Sequence, residues 1–176
     1  FEEFDGHAYT VGPVLVEPKA RGELTLTSSD AAAKPRMIGN HLVDDSDIAA
    51  MVAGMKLARE FAATEPLASA TAREIYPGPS VGASDEEIAA DIRRRTEMLY
   101  HPVGTCAMGT GADAVVDPEL RVRGVEGLRV ADASVMPQIT RGNTNAPTYM
   151  IAEKAADMIL GKDPLPAASE HVAAPA

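Results

Sequence analysis

The sequence predicts an α+β fold, on three observations. Residues 11–27, VGPVLVEPKARGELTLT, alternate apolar and polar side chains over short runs broken by Pro and by Arg21–Gly22, as short strands do. Three longer stretches, near 48–63, 85–97 and 146–160, carry apolar residues at helical spacing. The elements run strands, helices, strands and one last helix, without β–α–β alternation, so a self-contained doubly wound sheet is not expected.

Taken in order, residues 11–27 read as two strands joined by a turn. Residues 28–47, rich in Ser, Asp, Pro and Gly, read as loop. A helix is expected from Ile48 to about Ala63, with Ile48, Met51, Val52, Met55 and Ala58 on one face. Its acidic lead-in, Asp44, Asp45, Ser46 and Asp47, suits a helix start, where carboxylates meet unpaired N–H groups. Residues 77–83, PGPSVGA, are loop. Ser84 and Glu87 then have the S-x-x-E spacing of a capping box, opening a helix over 85–97 with Ile88 and Ile92 inward and Arg93–Arg95 near its end. After a Gly-rich turn, residues 114–137 break into short strands at Asp117–Pro118 and at Gly124 and Gly127, with LRVADAS as the most buried of them. The last helix runs from about Ala146 to Leu160 and stops at Gly161, with Pro164 beyond. The tail, 163–176, is expected to be mobile.

Composition narrows the function. The chain has 176 residues, enough for one domain or one and a half, and is 45% hydrophobic but only 4% aromatic, so its core is aliphatic and small. A net charge of −10 argues against nucleic acid and against an anionic membrane surface. No apolar run approaches the roughly 18 residues of a membrane span. One cysteine makes no internal disulfide, and no signal peptide opens the chain, so the cytoplasm is the expected compartment. The first residue is Phe1 rather than Met, and a piece of a longer protein is expected.

Two motifs hold the chemistry. LYHPVGTCAMG, residues 99–109, contains His101 and the single cysteine, Cys106. The four histidines, His7, His41, His101 and His171, lack metal-ligand spacing, so no metal is expected. Cys106 sits among small and apolar neighbours and reads as a packed thiol. His101 alone reads first as a loop hydrogen-bonder beside Pro102 and only second as an acid–base group. The second motif is Asn143-Thr144-Asn145-Ala146-Pro147 at the start of the last helix. Asn145 is a good N-cap and Pro147 fits a first turn, where its missing N–H costs nothing. Asn143 lies too early to cap. Free N–H groups and a positive dipole end at this helix start favour negative charge.

Together VEPKARGELTLTSSD, KPRMIGNHLVDDSD, MLYHPVGTCAMG, VVDPELRVRGVEGLRVADASVMP and GNTNAPTYMIAEKAADMIL, in this order over about residues 10–162, resemble the C-terminal part of the glucose–methanol–choline (GMC) family of FAD oxidoreductases. The resemblance implies a substrate domain with an antiparallel sheet and flanking helices over 1–110. It also implies a strand–helix segment, 111–162, that completes an FAD-binding domain of Rossmann-like, GMC type. The G-x-G-x-x-G of that domain's N-terminal half is absent from this chain, so its partner is that half, on the same or a separate polypeptide. The resemblance further implies FAD as cofactor and a small-molecule alcohol as substrate. His101 becomes the general base and Asn143 the group that holds the alcohol oxygen beside flavin N5, the hydride acceptor. Asp132 and Ala133 match a contact to the ribityl–pyrophosphate portion of FAD. Asn143, Thr144, Asn145, Ala146 and Pro147 match the segment at the flavin's pyrimidine edge. Tyr100 is expected to line the substrate cavity. Two alternatives stand beside alcohol oxidation: a flavin-containing hydroxynitrile lyase of the same fold, and a non-catalytic fragment that only docks to a partner.

Overall fold

The computed structural model describes residues 6–166. His171 and most of the expected mobile tail lie outside the described residues. The elements are β1 (Glu23–Thr25), β2 (Arg36–Ile38), α1 (Asp45–Ala62), α2 (Leu67–Ala70), α3 (Asp85–Arg95), a 3-10 turn (Ala133–Val135) and α4 (Asn145–Ile159). They fall into two compact units, one ending at Tyr100 and the other beginning at His101.

The first unit is built on α1 against α3. Ile48 and Val52 of α1 meet Ile88 and Ile92 of α3, with Met51, Met55 and Val81 packed around them. Both helices start as their sequences dictate. Asp44 caps α1 by accepting from the Ser46 N–H at 2.8 Å. The Ser46 hydroxyl first, and then this N–H, hold the Asp44 carboxyl below its usual range. Ser84 caps α3 by accepting from the Glu87 N–H at 3.3 Å, and its hydroxyl donates to the Glu87 carboxylate at 2.9 Å, so the two residues of the expected capping box pair through their side chains.

The strands differ from expectation. Only one strand lies in residues 11–27, and its partner, β2, lies in the stretch read as loop. They pair antiparallel with Leu24 opposite Met37. Residues 13–17 keep the period-two pattern, with Pro13, Leu15 and Glu17 half-buried and Val14 and Val16 exposed. They form no ladder, because Pro13 and Pro18 have no N–H to give. Just beyond, a side chain takes the backbone donors: buried Asp47 accepts from the Lys19 N–H at 2.8 Å and the Ala20 N–H at 2.9 Å.

Asp91, on α3, is a buried carboxylate whose side chain is 5% exposed. It accepts from Arg94 Nη2 at 2.5 Å and from Arg95 Nε at 2.8 Å. Burial pushes this carboxyl up, but the two guanidiniums outweigh it, and the net shift is downward. A depressed carboxylate contributes stability above the unfolded-state range, near pH 4, and loses it as pH falls through the folded value. The gap in urea midpoint between the parent and Asp91→Asn is therefore expected to be widest above about pH 5 and to close as pH falls below the usual carboxylate range. A gap that stays constant with pH contradicts this role.

In the second unit α4 and the 3-10 turn share one core: Val116, Leu120, Val135, Met136, Ile151 and Ala155. The expected strands over 114–137 are reduced to single bridges, Met108 with Val116, Val116 with Val122 and Arg121 with Arg129. Gly124 and Gly127, at φ +79° and +73°, turn the chain before a ladder can extend. LRVADAS is not a buried strand. Leu128 is exposed, and Asp132 ends the extended run by accepting from the Ser134 N–H at 2.8 Å, which starts the 3-10 turn. The stop of α4 matches expectation: Gly161 takes φ +66°, and its N–H bonds the Met158 carbonyl at 3.3 Å.

Candidate active site

Every expected site residue belongs to the second unit except Tyr100, the last residue of the first. The backbone after His101 is stitched to the 3-10 turn. The Ser134 carbonyl accepts from the Gly104 N–H and the Cys106 N–H, both at 3.0 Å, and the Val135 carbonyl accepts from the Met108 N–H at 2.8 Å. Val135 is completely buried, which anchors that strip to the core. Gly104 turns at φ +90°, a conformation costly for a side-chain-bearing residue. The loop that carries His101 is thus held by the same core that holds α4, the helix whose N-terminal approach carries Asn143 and Thr144.

The imidazole meets that approach with both nitrogens. His101 Nε2 lies 3.3 Å from Asn143 Oδ1, and Thr144 Oγ1 lies 2.9 Å from His101 Nδ1. Asn143 is exposed, His101 half-buried and Thr144 buried. One ring nitrogen is therefore tied to a buried hydroxyl, while the other stands at the surface beside a carboxamide. The Asn143 oxygen can only accept, so in this contact Nε2 carries the ring proton and Nδ1 accepts from the Thr144 hydroxyl. A neutral imidazole in the other tautomer can accept a proton at Nε2, and a carboxamide turned to present its N–H can donate to an oxygen on which negative charge develops.

The rest of the 143–147 stretch opens α4. Its N-cap is Thr144, not the expected Asn145, which begins the helix itself. Thr144 has helical backbone angles, φ −84° and ψ −3°, and makes no side-chain capping bond; its hydroxyl meets His101 instead, and the first turn holds no acidic residue. Asn145 and Ala146 are exposed and Pro147 is half-buried. The dipole end of a 15-residue helix thus stands uncompensated beside Asn143. A surface hollow of about 210 Å³ lies along Asn145, Thr148, Tyr149 and Ala152. Asp132 is exposed and Ala133 half-buried at the start of the 3-10 turn, on the core α4 also uses. A larger hollow of about 460 Å³, bounded by Asp117, Arg121 and Leu128 among others, includes none of the expected site residues.

Tyr100 is 81% exposed and takes φ +58°. His7 and His41 are exposed and Cys106 is half-buried. Among the described residues, no cluster of three or more His, Cys, Asp or Glu side chains could hold a metal ion. Nor is any described helix long and apolar enough to cross a membrane. The contact that sequence reasoning missed is Thr144 with the imidazole. Its signal was a hydroxyl residue between two asparagines at a helix start.

The family model for GMC oxidoreductase matches residues 18–152, more than half of the chain. The chain belongs to the GMC oxidoreductase family. It is 49% identical over 157 residues to the alcohol dehydrogenase [acceptor] of Pseudomonas putida, a match covering 89% of this chain and 28% of that protein. To an oxygen-dependent choline dehydrogenase of Sinorhizobium medicae it is 49% identical over 149 residues, covering 84% of this chain and 27% of that one. Among solved structures, pyridoxine 4-oxidase from Mesorbium loti superposes with a TM-score of 0.77 at 29% identity, over 84% of this chain and 29% of that one. A variant of Aspergillus oryzae RIB40 formate oxidase, studied for its FAD modification, gives 0.77 at 35% identity over 84% of this chain and 26% of that one. This member of the GMC family therefore has the fold of the family's C-terminal domain, helices with a small sheet, and spans less than a third of the length of these relatives.

Proposed function

We propose that this chain is the C-terminal portion of an FAD-dependent oxidoreductase that oxidises CH–OH groups of small alcohols to carbonyls. The observation that carries the reading is the meeting of His101 Nε2 and the Asn143 carboxamide at 3.3 Å, from positions 42 residues apart. The names of the relatives, an alcohol dehydrogenase, a choline dehydrogenase and a pyridoxine oxidase, support alcohols as the substrate class.

The residues present suit FAD. The open start of α4, with no acidic residue in its first turn, offers backbone N–H groups and a positive dipole end to an anionic flavin edge. Asn143, Thr144, Asn145, Ala146 and Pro147 would hold that edge, and Asp132 with Ala133 the ribityl–pyrophosphate portion. When bound, FAD supplies the hydride acceptor.

The chain's own residues do the rest. His101 takes the hydroxyl proton at Nε2. Asn143 donates a carboxamide N–H to the same oxygen as alkoxide character grows, and does not compete for the proton. Held at two points, the carbinol carbon is fixed for hydride departure, a positioning effect. Tyr100, next to His101 in the chain, is proposed to line the substrate cavity. Residues 1–110 are assigned to the substrate domain and 111–162 to the FAD domain, with the remainder of the FAD site supplied by polypeptide outside this sequence.

The test is anaerobic mixing of the FAD-loaded protein with primary alcohols. Bleaching of the flavin supports the reading. A flavin that stays oxidised with every alcohol, in a protein that releases cyanide from a cyanohydrin, favours the lyase and overturns it. Asn143→Ala is expected to slow bleaching of whatever FAD is bound about 10²–10³-fold, the usual worth of one oxyanion donor. An unchanged rate removes Asn143 from the mechanism.

A further inference from the structure

We infer that Asp132 is a positioning residue for the loop that carries His101, an inference that rests on the reading of His101 as the base. The family resemblance matches Asp132 to a contact with the ribityl–pyrophosphate portion of FAD. Its carboxylate has a task inside the chain as well. Asp132 stands in extended backbone, at φ −145° and ψ −173°, just before the 3-10 turn. There its Oδ1 accepts from the Ser134 N–H at 2.8 Å. Asp suits this position because its short side chain reaches a free N–H two residues on.

The N–H held in this way belongs to the residue that holds the loop. The Ser134 carbonyl accepts from the N–H groups of Gly104 and Cys106, both at 3.0 Å, which uses both of its lone pairs. One residue on, the Val135 carbonyl accepts from the Met108 N–H at 2.8 Å. The far end of the turn is fixed by the completely buried Val135 side chain. Its near end is closed by Asp132 alone, through the carboxylate and through a backbone carbonyl that accepts from the Val135 N–H at 3.3 Å. Without the carboxylate only that longer backbone bond remains. The Ser134 carbonyl then gains slack, and so does the strip from Gly104 that follows His101. A misplacement of about 1 Å at a reacting group can cost on the order of 10²-fold in rate, so a part of that shift is enough to be measured. Asp132 reaches the imidazole only through the turn and the loop.

Capping and flavin contact are separable, because Asn and Ser accept from a turn N–H about as well as Asp, and Ala does not. Asp132→Asn, Asp132→Ser and Asp132→Ala all lack the carboxylate. With the rate counted per bound flavin at saturating alcohol, the alanine variant is expected to reduce about tenfold more slowly than the other two, with KM alike in all three. Placed on top of His101→Ala, Asp132→Ala is expected to slow reduction no further. Amide exchange needs no bound flavin. The N–H groups of Gly104, Cys106 and Met108 are expected to exchange about tenfold faster in the alanine variant than in the asparagine variant, while those of Ile151 and Ala155 in α4 stay alike. Three variants that reduce at one rate overturn the inference. So do loop amides that exchange alike in Ala and Asn, whether or not the alanine variant binds FAD, and so does a further slowing on top of His101→Ala. A His101→Ala that reduces at the parental rate is a separate failure: the reading of His101 as base falls, and this inference with it, even where the exchange difference is seen.

Discussion

Replacing His101 by alanine is expected to slow reduction of the bound flavin by an alcohol roughly 10²–10⁴-fold, the range typical of a positioned general base. FAD content is expected to stay at the parental level, because the imidazole meets Asn143 and Thr144 through their side chains and is no part of the helix start proposed to hold the flavin edge. Stopped-flow absorbance in the flavin band measures both quantities. The expected loss is large because the hydroxyl proton has no other acceptor among the side chains that meet at this point. A carboxamide and a hydroxyl are weak bases at neutral pH. An alanine variant that reduces at the parental rate removes His101 from the reaction.

The second large effect is on stability. Ile151→Ala is expected to cost about 2–5 kcal/mol, the range for emptying a buried aliphatic site. Ile151 is buried on α4 in the core made by Val116, Leu120, Val135, Met136 and Ala155. That core carries both halves of the candidate site. It seats α4, which follows Asn143 and Thr144, and it seats the 3-10 turn whose Ser134 and Val135 carbonyls hold the loop after His101. A cavity there is expected to loosen the 3.3 Å approach of His101 to Asn143, so the rate of flavin reduction falls along with the urea midpoint. A variant destabilised by less than about 1 kcal/mol contradicts the account of this core.

The helices were legible in the sequence because their determinants are local. Asp44, and Ser84 with Glu87, announce the starts of α1 and α3, and Ile48, Val52, Ile88 and Ile92 supply the apolar faces that meet. The strands were not. β2 is three residues long, and Arg36 and Met37 in it are exposed, so no alternation marks it. What makes it a strand is pairing with β1 across an intervening loop, which local periodicity does not encode. LRVADAS misled for a related reason. Its apolar residues looked like a strand interior, but Asp132 caps a turn within it, and Leu128 faces outward.

The candidate site was legible only in part. The residues alone left His101 open between a loop contact and an acid–base role. Its partner in position, Asn143, came from the family resemblance. Thr144 was named as a neighbour of the flavin, and its bond to the imidazole is a tertiary contact across 43 positions, invisible to spacing. The N-cap of α4 is Thr144 rather than Asn145 because the Thr144 carbonyl takes the first helical hydrogen bond, from the Thr148 N–H at 3.0 Å, a backbone choice that the side chains do not announce.

The central claim is that His101 and Asn143 address one substrate oxygen. The most direct measurement is a crystal structure of the FAD-loaded protein with a non-oxidisable alcohol analogue. The predicted result puts the analogue's oxygen within about 3 Å of both His101 Nε2 and the Asn143 carboxamide. An analogue whose oxygen is held by other groups, with Nε2 turned away from it, would contradict the account.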